Sequence, residues 1–554
     1  MSSTTAASPD LLTRLWRRDL ASYPKSSRRY GYLAIVVATT VVLYYLLYIQ
    51  YAVATSIITH YGMTFTYFIW MSVVGNAVGA FASLVAGLAD RWGRANLVVY
   101  GLLVAGVLVL LLPSTPSKGA FLALFSALNF VEGIILVATP ALIRDFSPQL
   151  RRATAMGFWT IGPVVGSLVV TTVTSTTLGS STWQDEIRYA GTSALIMFGL
   201  ALIGLRELSP ELRDQIMVSA RDRALIEARA RGINPEQQPT GHWRQMVRLN
   251  ILGPAFGIGV YMLLYYALVG SLVLYFASVF GYTEQRANAL GNWYWASMAV
   301  GLIAGGALSD RLKVRKPLMV FGCVGTIVTT TVFALLTTRP HTGYYTFALL
   351  FLIAGALAGA TYAPWMAAFT ETVEERSPAA TATGLAIWGW LMRVVVAVST
   401  AIVPVVVTSV TPIVDHGAQV AAAQAQAAPA LAIIDAHPQT FAGLTKYPPN
   451  AIPPSVMRNA VSQVGADKVA VVQKAQPQLA ILKAYGPEVA DAVRNGPHEW
   501  QTWWWVTLAG QIVFLPSVFL MRGRWSPRRA REDAETHRIA VERELAKLQE
   551  KVPA

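Results

Sequence analysis

Charge is scarce in this chain. Only 13% of its 554 residues are charged, against roughly 25% in an average soluble domain. That deficit excludes a globular enzyme with an ordinary wetted surface. Cysteine is nearly absent too. The single Cys323 lies in an apolar run, so no intramolecular disulfide can form and no cysteine-based metal site exists. The sequence holds no glycine-rich nucleotide loop, no His-Glu-x-x-His and no nucleophile elbow. Enzyme chemistry and ATP-driven transport are not expected, and neither is a cofactor or a metal. What remains is 54% hydrophobic, with a mean hydropathy of +0.45. Such a composition fits a chain whose main solvent is lipid.

A helix crosses a bilayer with about 20 apolar residues. Twelve such runs occur, near 31–58, 64–88, 96–113, 119–143, 153–177, 189–206, 249–280, 288–309, 317–337, 343–369, 379–410 and 501–521. The expected fold is an all-α membrane protein of twelve transmembrane helices. Its parts are a tail (1–30), a six-helix half (31–206), a charged linker (207–248), a second half (249–521) and a tail (522–554). The second half carries an insertion, 411–499, between its last two spans.

Basic residues orient the bundle. With a cytoplasmic N-terminus, tails and inside loops hold 33 of the 44 Lys and Arg, and outside segments hold 10. The short outside loops keep only Lys118, Arg188, Arg286 and Arg339. This is the positive-inside bias, and it accounts for the net charge of +14 without nucleic acid. Both termini are therefore expected on the cytoplasmic side of a bacterial inner membrane, in a protein acting as a monomer.

Three soluble segments follow. Residues 11–18 read as a short helix on the membrane surface or as a disordered basic tail. The linker reads as helical around Glu211–Arg231. The insertion reads as short amphipathic helices capping the outer face, with Trp500, Trp503, Trp504 and Trp505 as an interfacial aromatic belt. The tail from Ser526-Pro527 reads as a solvated helix.

The chain repeats itself. Gly87-Leu-Ala-Asp90-Arg91-Trp-Gly93-Arg94 follows span two, and Gly306-Ala-Leu-Ser-Asp310-Arg311-Leu-Lys313-Val-Arg315 follows span eight. Six spans and the linker separate Asp90 from Asp310. A weaker echo relates Pro140, Arg151-Arg152 and Gly157 to Pro364, Arg376 and Gly384. Tandem six-helix halves are a transporter pattern.

The Asp-Arg-x-Gly-Arg turn resembles the loop signature of the major facilitator superfamily. Gly162-Pro163-Val-Val-Gly166 in span five is similar to that family's antiporter motif, a helix-bending element. Ala86 stands where the family's first loop glycine is usual, and the second turn lacks the Gly-Arg ending. The resemblance implies two pseudo-symmetric halves, alternating access, and a latch on the cytoplasmic side. It assigns that latch to Asp90, Arg91, Gly93 and Arg94, and in the second half to Asp310 and Arg311. Read from the residues alone, these are equally topogenic loop charges. The fuller first copy is expected to hold harder, so that Asp90→Asn impairs cycling more than Asp310→Asn.

Two ionisable residues lie deep in spans: Glu132 in span four and Arg393 in span eleven. A charge at mid-membrane costs roughly 2.5–3.5 kcal/mol on insertion scales, so it faces a cavity or a partner. Arg393 is the candidate for an anionic substrate group, and Glu132 for a proton. A structural buried pair is the alternative. Tyr48, Asn129, Tyr265, Asn292 and Trp388 are the further candidate substrate contacts, from a wider aromatic set that includes Tyr44, Tyr266 and Tyr362. The expected function is proton-coupled symport of a small organic anion such as a carboxylate. The alternative is a drug/proton antiporter for hydrophobic or cationic compounds, and a non-transporting receptor is a third class.

Overall fold

The computed structural model describes residues 16–84, 92–147, 152–209, 211–212, 246–376, 381–444, 447 and 452–549. Asp90, Arg91 and the Glu211–Arg231 stretch, apart from its first two residues, fall outside the described residues.

In lipid every backbone N–H and C=O must be satisfied internally, so a chain this apolar folds as helices. The first half holds α1 (Ser26–Ala52), α2 (Ala54–Tyr61), α3 (Phe65–Leu84), α4 (Arg94–Leu111), α5 (Lys118–Phe146), α6 (Arg152–Thr177) and α7 (Trp183–Gly204). The second holds α8 (Leu249–Tyr261), α9 (Leu263–Phe280), α10 (Glu284–Leu312), α11 (Lys316–Leu336), α12 (Tyr344–Arg376) and α13 (Thr381–Val406). Then come α14 (Val410–Ala436), α15 (Pro438–Leu444), α16 (Pro454–Val464), α17 (Ala466–Lys474), α18 (Gln476–Leu520) and α19 (Pro527–Gln549). Among the described residues, ten candidate spans are long and apolar enough to cross a membrane. The other two expected spans correspond to α6 and α10, long helices packed in the same bundle. The first expected span is broken at Val53 and the seventh at Met262.

Helix starts follow local chemistry. Ser117, Thr182 and Thr283 accept N–H groups of the first turns of α5, α7 and α10, which removes orphan donors.

The internal repeat is built into the packing. A Cβ at Gly133 on α5 would stand 2.3 Å from Gly79 O on α3, and one at Gly355 on α12 would stand 2.3 Å from Tyr294 O on α10. A Cβ at Gly301 would likewise meet Ala356 O at 2.2 Å. The offset from Gly79 to Gly301 equals that from Gly133 to Gly355. Glycine thus lets α3 cross α5, and α10 cross α12, at backbone distance.

Two regions differ from expectation. Residues 11–15, most of the expected surface segment, lie outside the described residues, and Arg18–Leu20 do not trail away. β1 (Asp19–Leu20) pairs in parallel with β2 (Glu207–Leu208), and Trp16 stacks on Tyr100 at 5.6 Å. Arg18 is 1% exposed. Its guanidinium donates to Leu202 O, Leu205 O and Asn96 Oδ1. The carbonyls ending α7 need a donor, and a cation suits the negative end of a helix. The second difference concerns the tryptophans. Trp500, Trp503 and Trp504 are buried, with Trp500 and Trp504 packed on Tyr275 and Trp504 also on Phe333, rather than forming a belt at the lipid interface. They lie within the 45-residue α18, which continues from the insertion straight into the last span.

Candidate substrate path and gates

The tyrosines of three helices converge. Tyr44 and Tyr48 on α1 lie ring to ring at 5.4 Å, and Tyr265 and Tyr266 on α9 at 5.0 Å. Tyr48 is within interaction range of Tyr265, Tyr266 and Tyr44. Tyr362 on α12 is within range of Tyr266 and Tyr44. Tyr362 stacks on Trp365, which meets Trp388 of α13 at 5.9 Å. The cluster draws on both halves.

Arg393 on α13 belongs to this cluster. Its charge reaches Tyr44 and Tyr266, and its side chain is exposed in the protein. Those tyrosines belong to helices of opposite halves, so the guanidinium addresses the space between them. Glu132 on α5 is 1% exposed, and neither carboxylate oxygen has a hydrogen-bond partner among the described residues. It lies within electrostatic range of Tyr44 and of Tyr51. Tyr44 therefore senses both the carboxyl of one half and the guanidinium of the other.

The glycines of α6 bring it against this same point. A Cβ at Gly162 would meet Thr40 Cγ2, and one at Gly166 would meet Tyr44 Cβ, each at 2.5 Å. Any side chain there would push α6 off α1 beside Tyr44. Pro163 lies between them within the helix.

Two of the expected contacts stand elsewhere. Asn129 donates to Phe125 O of its own helix and packs at the α3–α5 crossing. Asn292 lies in the seam between the halves, at the end that bears the insertion. There it accepts from Thr172 and donates to Ser175, both on α6. Gln285 donates to Ser175 O. One turn further along α10, Asn288 donates to Ala52 O, beside the break at Val53. Glu284 accepts from Ser56 N at 2.9 Å, from Ser56 Oγ at 2.7 Å and from Thr55 Oγ1. These are first-turn groups of α2, so Glu284 caps a helix of the opposite half. Sequence reading passed over Glu284 and Asn288 because a polar residue near a span end is ordinary, and only their spacing of four along α10 hinted at a shared face. Just inside this seam a cavity of about 20 Å³, lined by Tyr48, Tyr51, Ser167, Thr171, Asn288 and Trp295, has room for one water.

At the other end lie the Asp-Arg turns. Arg94 Nη1 reaches both carboxylate oxygens of Asp145 at 2.9 Å, and its N–H donates to Glu207 Oε2. In the second half Arg315 pairs with Asp310 at 2.6 Å and Glu371 at 3.0 Å, and donates to Ser309 Oγ. Burial disfavours the Arg315 charge, but Glu371 and Asp310 outweigh it and raise its pKa above the ordinary value. Arg315 thus makes in the second half the kind of acidic contact that Arg94 makes in the first. Arg311 is exposed.

The sequence matches the description "Major Facilitator Superfamily" over residues 36–400. The fold is similar to that of a bacterial homologue of the human lysosomal transporter Spinster. Its inward-facing, occupied form aligns with a TM-score of 0.55 at 14% identity, covering 90% of this chain and 97% of that one. The inward-facing, unoccupied form aligns at 0.52 and 15%, covering 91% and 100%. A D-xylose-proton symporter aligns at 0.52 and 13%, covering 67% and 90%. No curated protein matches the sequence. The matched residues run from α1 into α13 and include the tyrosine cluster and the Arg94 and Arg315 contacts; this chain belongs to the major facilitator superfamily and is a multi-pass membrane transporter.

Proposed function

We propose that the protein is a secondary active transporter that moves a small organic anion, such as a carboxylate, by alternating access coupled to protons. The observation that carries this reading is the placement of Glu132 and Arg393 on opposite halves with Tyr44 in electrostatic reach of both. Arg393 supplies the counter-charge for the substrate anion. Tyr48 and Tyr265 line the path with flat, amphipathic surface, and Trp388 backs it. Glu132, buried without a hydrogen-bond partner among the described residues, holds the coupling proton, because an ionised carboxylate there is costly. Rocking of the halves opens Glu132 to one face or the other.

The Asp-Arg turns act as the latch at one end: Asp90, Arg91, Gly93 and Arg94 in the first half, Asp310 and Arg311 with Arg315 in the second. The bias of Lys and Arg supports a cytoplasmic position for this end and both termini, in a bacterial inner membrane, with the protein acting as a monomer. A drug/proton antiporter is the second reading, favoured by the tight seating of Gly162 and Gly166 on α1. The exposed cation Arg393 opposes cationic cargo.

Uptake of a panel of carboxylates into proteoliposomes under an imposed pH gradient tests the proposal. Arg393→Ala abolishes uptake. Glu132→Gln loses the response to the gradient and retains exchange of internal for external substrate. Unchanged uptake in Arg393→Ala overturns the assignment.

A further inference from the structure

The insertion is anchored to the second half and touches the first. Its root is fixed by Glu499 on α18, which accepts Ser409 N at 2.7 Å and Thr408 Oγ1 at 2.9 Å just before α14. Along its length α14 packs against α18. Ala427, Ala430, Phe441, Val464, Val469 and Val472 form an apolar core that joins α14 to α15, α16 and α17. The insertion therefore moves with the last span.

Its far side faces the other half. α14 packs against α2 and α3, and also against α9. The Asp415 carboxylate accepts the backbone N–H of Phe65 at 3.2 Å. Phe65 is the first residue of α3, so its N–H is one of four that the helix cannot satisfy itself. Asp415 thus caps a helix of the first half from a helix rooted in the second. Burial pushes the Asp415 carboxyl up, the Phe65 bond and His416 pull it down, and Glu488 adds to the rise. An asparagine amide oxygen at this position can accept the same bond.

We propose that α14, with α15, α16 and α17 packed on it, forms a strap across the gate at its end of the bundle, seated on the first half through Asp415, so that opening this end requires α14 to leave α2 and α3. Asp415 is a positioning residue. It extends the seam made by Glu284 and Asn288 beyond the spans, and its role does not depend on the substrate.

Distances between spin labels at Ser180→Cys in the first half and Thr338→Cys in the second, measured in lipid nanodiscs without substrate, test this. Asp415→Ala raises the long-distance, open population about fivefold, the effect of losing a typical helix cap. Asp415→Asn stays near wild type, and Asp435→Ala, an exposed insertion carboxylate, changes nothing. A distribution unchanged in folded Asp415→Ala overturns the proposal, as does an equal shift in Asp435→Ala. Where Asp415→Ala does not fold, Thr64→Cys is joined to Ala418→Cys by a short reducible reagent. Hydrogen exchange at 284–292 then slows at least about fivefold and recovers on reduction. Exchange unaffected by the cross-link overturns the strap.

Discussion

The two halves solve the same turn differently. In the first, Arg94 and Asp145 are 22% and 10% exposed and form a two-pronged contact. Glu207, 2% exposed, reaches from beyond α7 to the Arg94 N–H, and its strand partner holds the buried Arg18 next door. In the second, Arg315 divides itself between Asp310 and Glu371, which are 69% and 50% exposed. The backbone differs as well. Gly93 turns at φ 85°, and Lys313, at the matching place after its own aspartate, turns at φ 56°. Glycine adopts that region freely, but lysine does so with strain. One fold has therefore made one shielded ion pair after its second span and one wetted pair beside a strained residue after its eighth. Pairs screened by water contribute about 0–1 kcal/mol, whereas a shielded pair leaves a costly orphan when broken.

Four substitutions break or sharpen this comparison. Arg94→Ala has the largest effect, because it removes a two-pronged, shielded contact to Asp145. A loss of about 2–3 kcal/mol is expected, read as a lowered thermal unfolding midpoint. Gly93→Ala follows, at about 1–2 kcal/mol. Its Cβ would stand 2.3 Å from Glu207 Oε1, besides forcing alanine to positive φ. Arg315→Ala costs about 1 kcal/mol or less, since its partners return to water. Lys313→Gly raises the midpoint, by about 0.5 kcal/mol. Equal losses in Arg94→Ala and Arg315→Ala would erase the contrast. The transport defects of Asp90→Asn and Asp310→Asn are expected to fall in the same order.

Much of the fold is readable in the sequence, because apolar runs of span length admit few other outcomes in lipid. The Asp-Arg repeat marks two halves, and Glu132 and Arg393 stand out as charges deep in apolar helices. What sequence reading misses depends on tertiary partners. Arg315 escapes notice because it stands one residue further from its aspartate than Arg94 does, and the second copy lacks the Gly-Arg ending that marks Arg94. Residues 16–18 look like a membrane-surface segment until the free carbonyls at the end of α7 supply Arg18 with partners. The tryptophans around Trp503 match an interfacial belt in composition, and only packing such as that of Trp500 and Trp504 on Tyr275 reveals that they are buried. Asn292 reads as a substrate contact at its depth, yet its neighbours on α6 make it part of the seam.

The same asymmetry extends to the path itself. The first half carries Glu132, and the offset that relates Gly133 to Gly355 puts the buried Ala354 at the matching position of the second. The second half carries the exposed cation, Arg393. Under the proposed function, the first half would hold the proton and the second the anion.

Thermal unfolding of the purified protein with a panel of organic acids and hydrophobic cations, in wild type and Arg393→Ala, tests this division directly. A ligand bound to the folded state raises the midpoint with its affinity. The account predicts that one or more organic acids stabilise the wild type, that Arg393→Ala removes the shift, and that cations give none. Stabilisation by cations that persists in Arg393→Ala would contradict it.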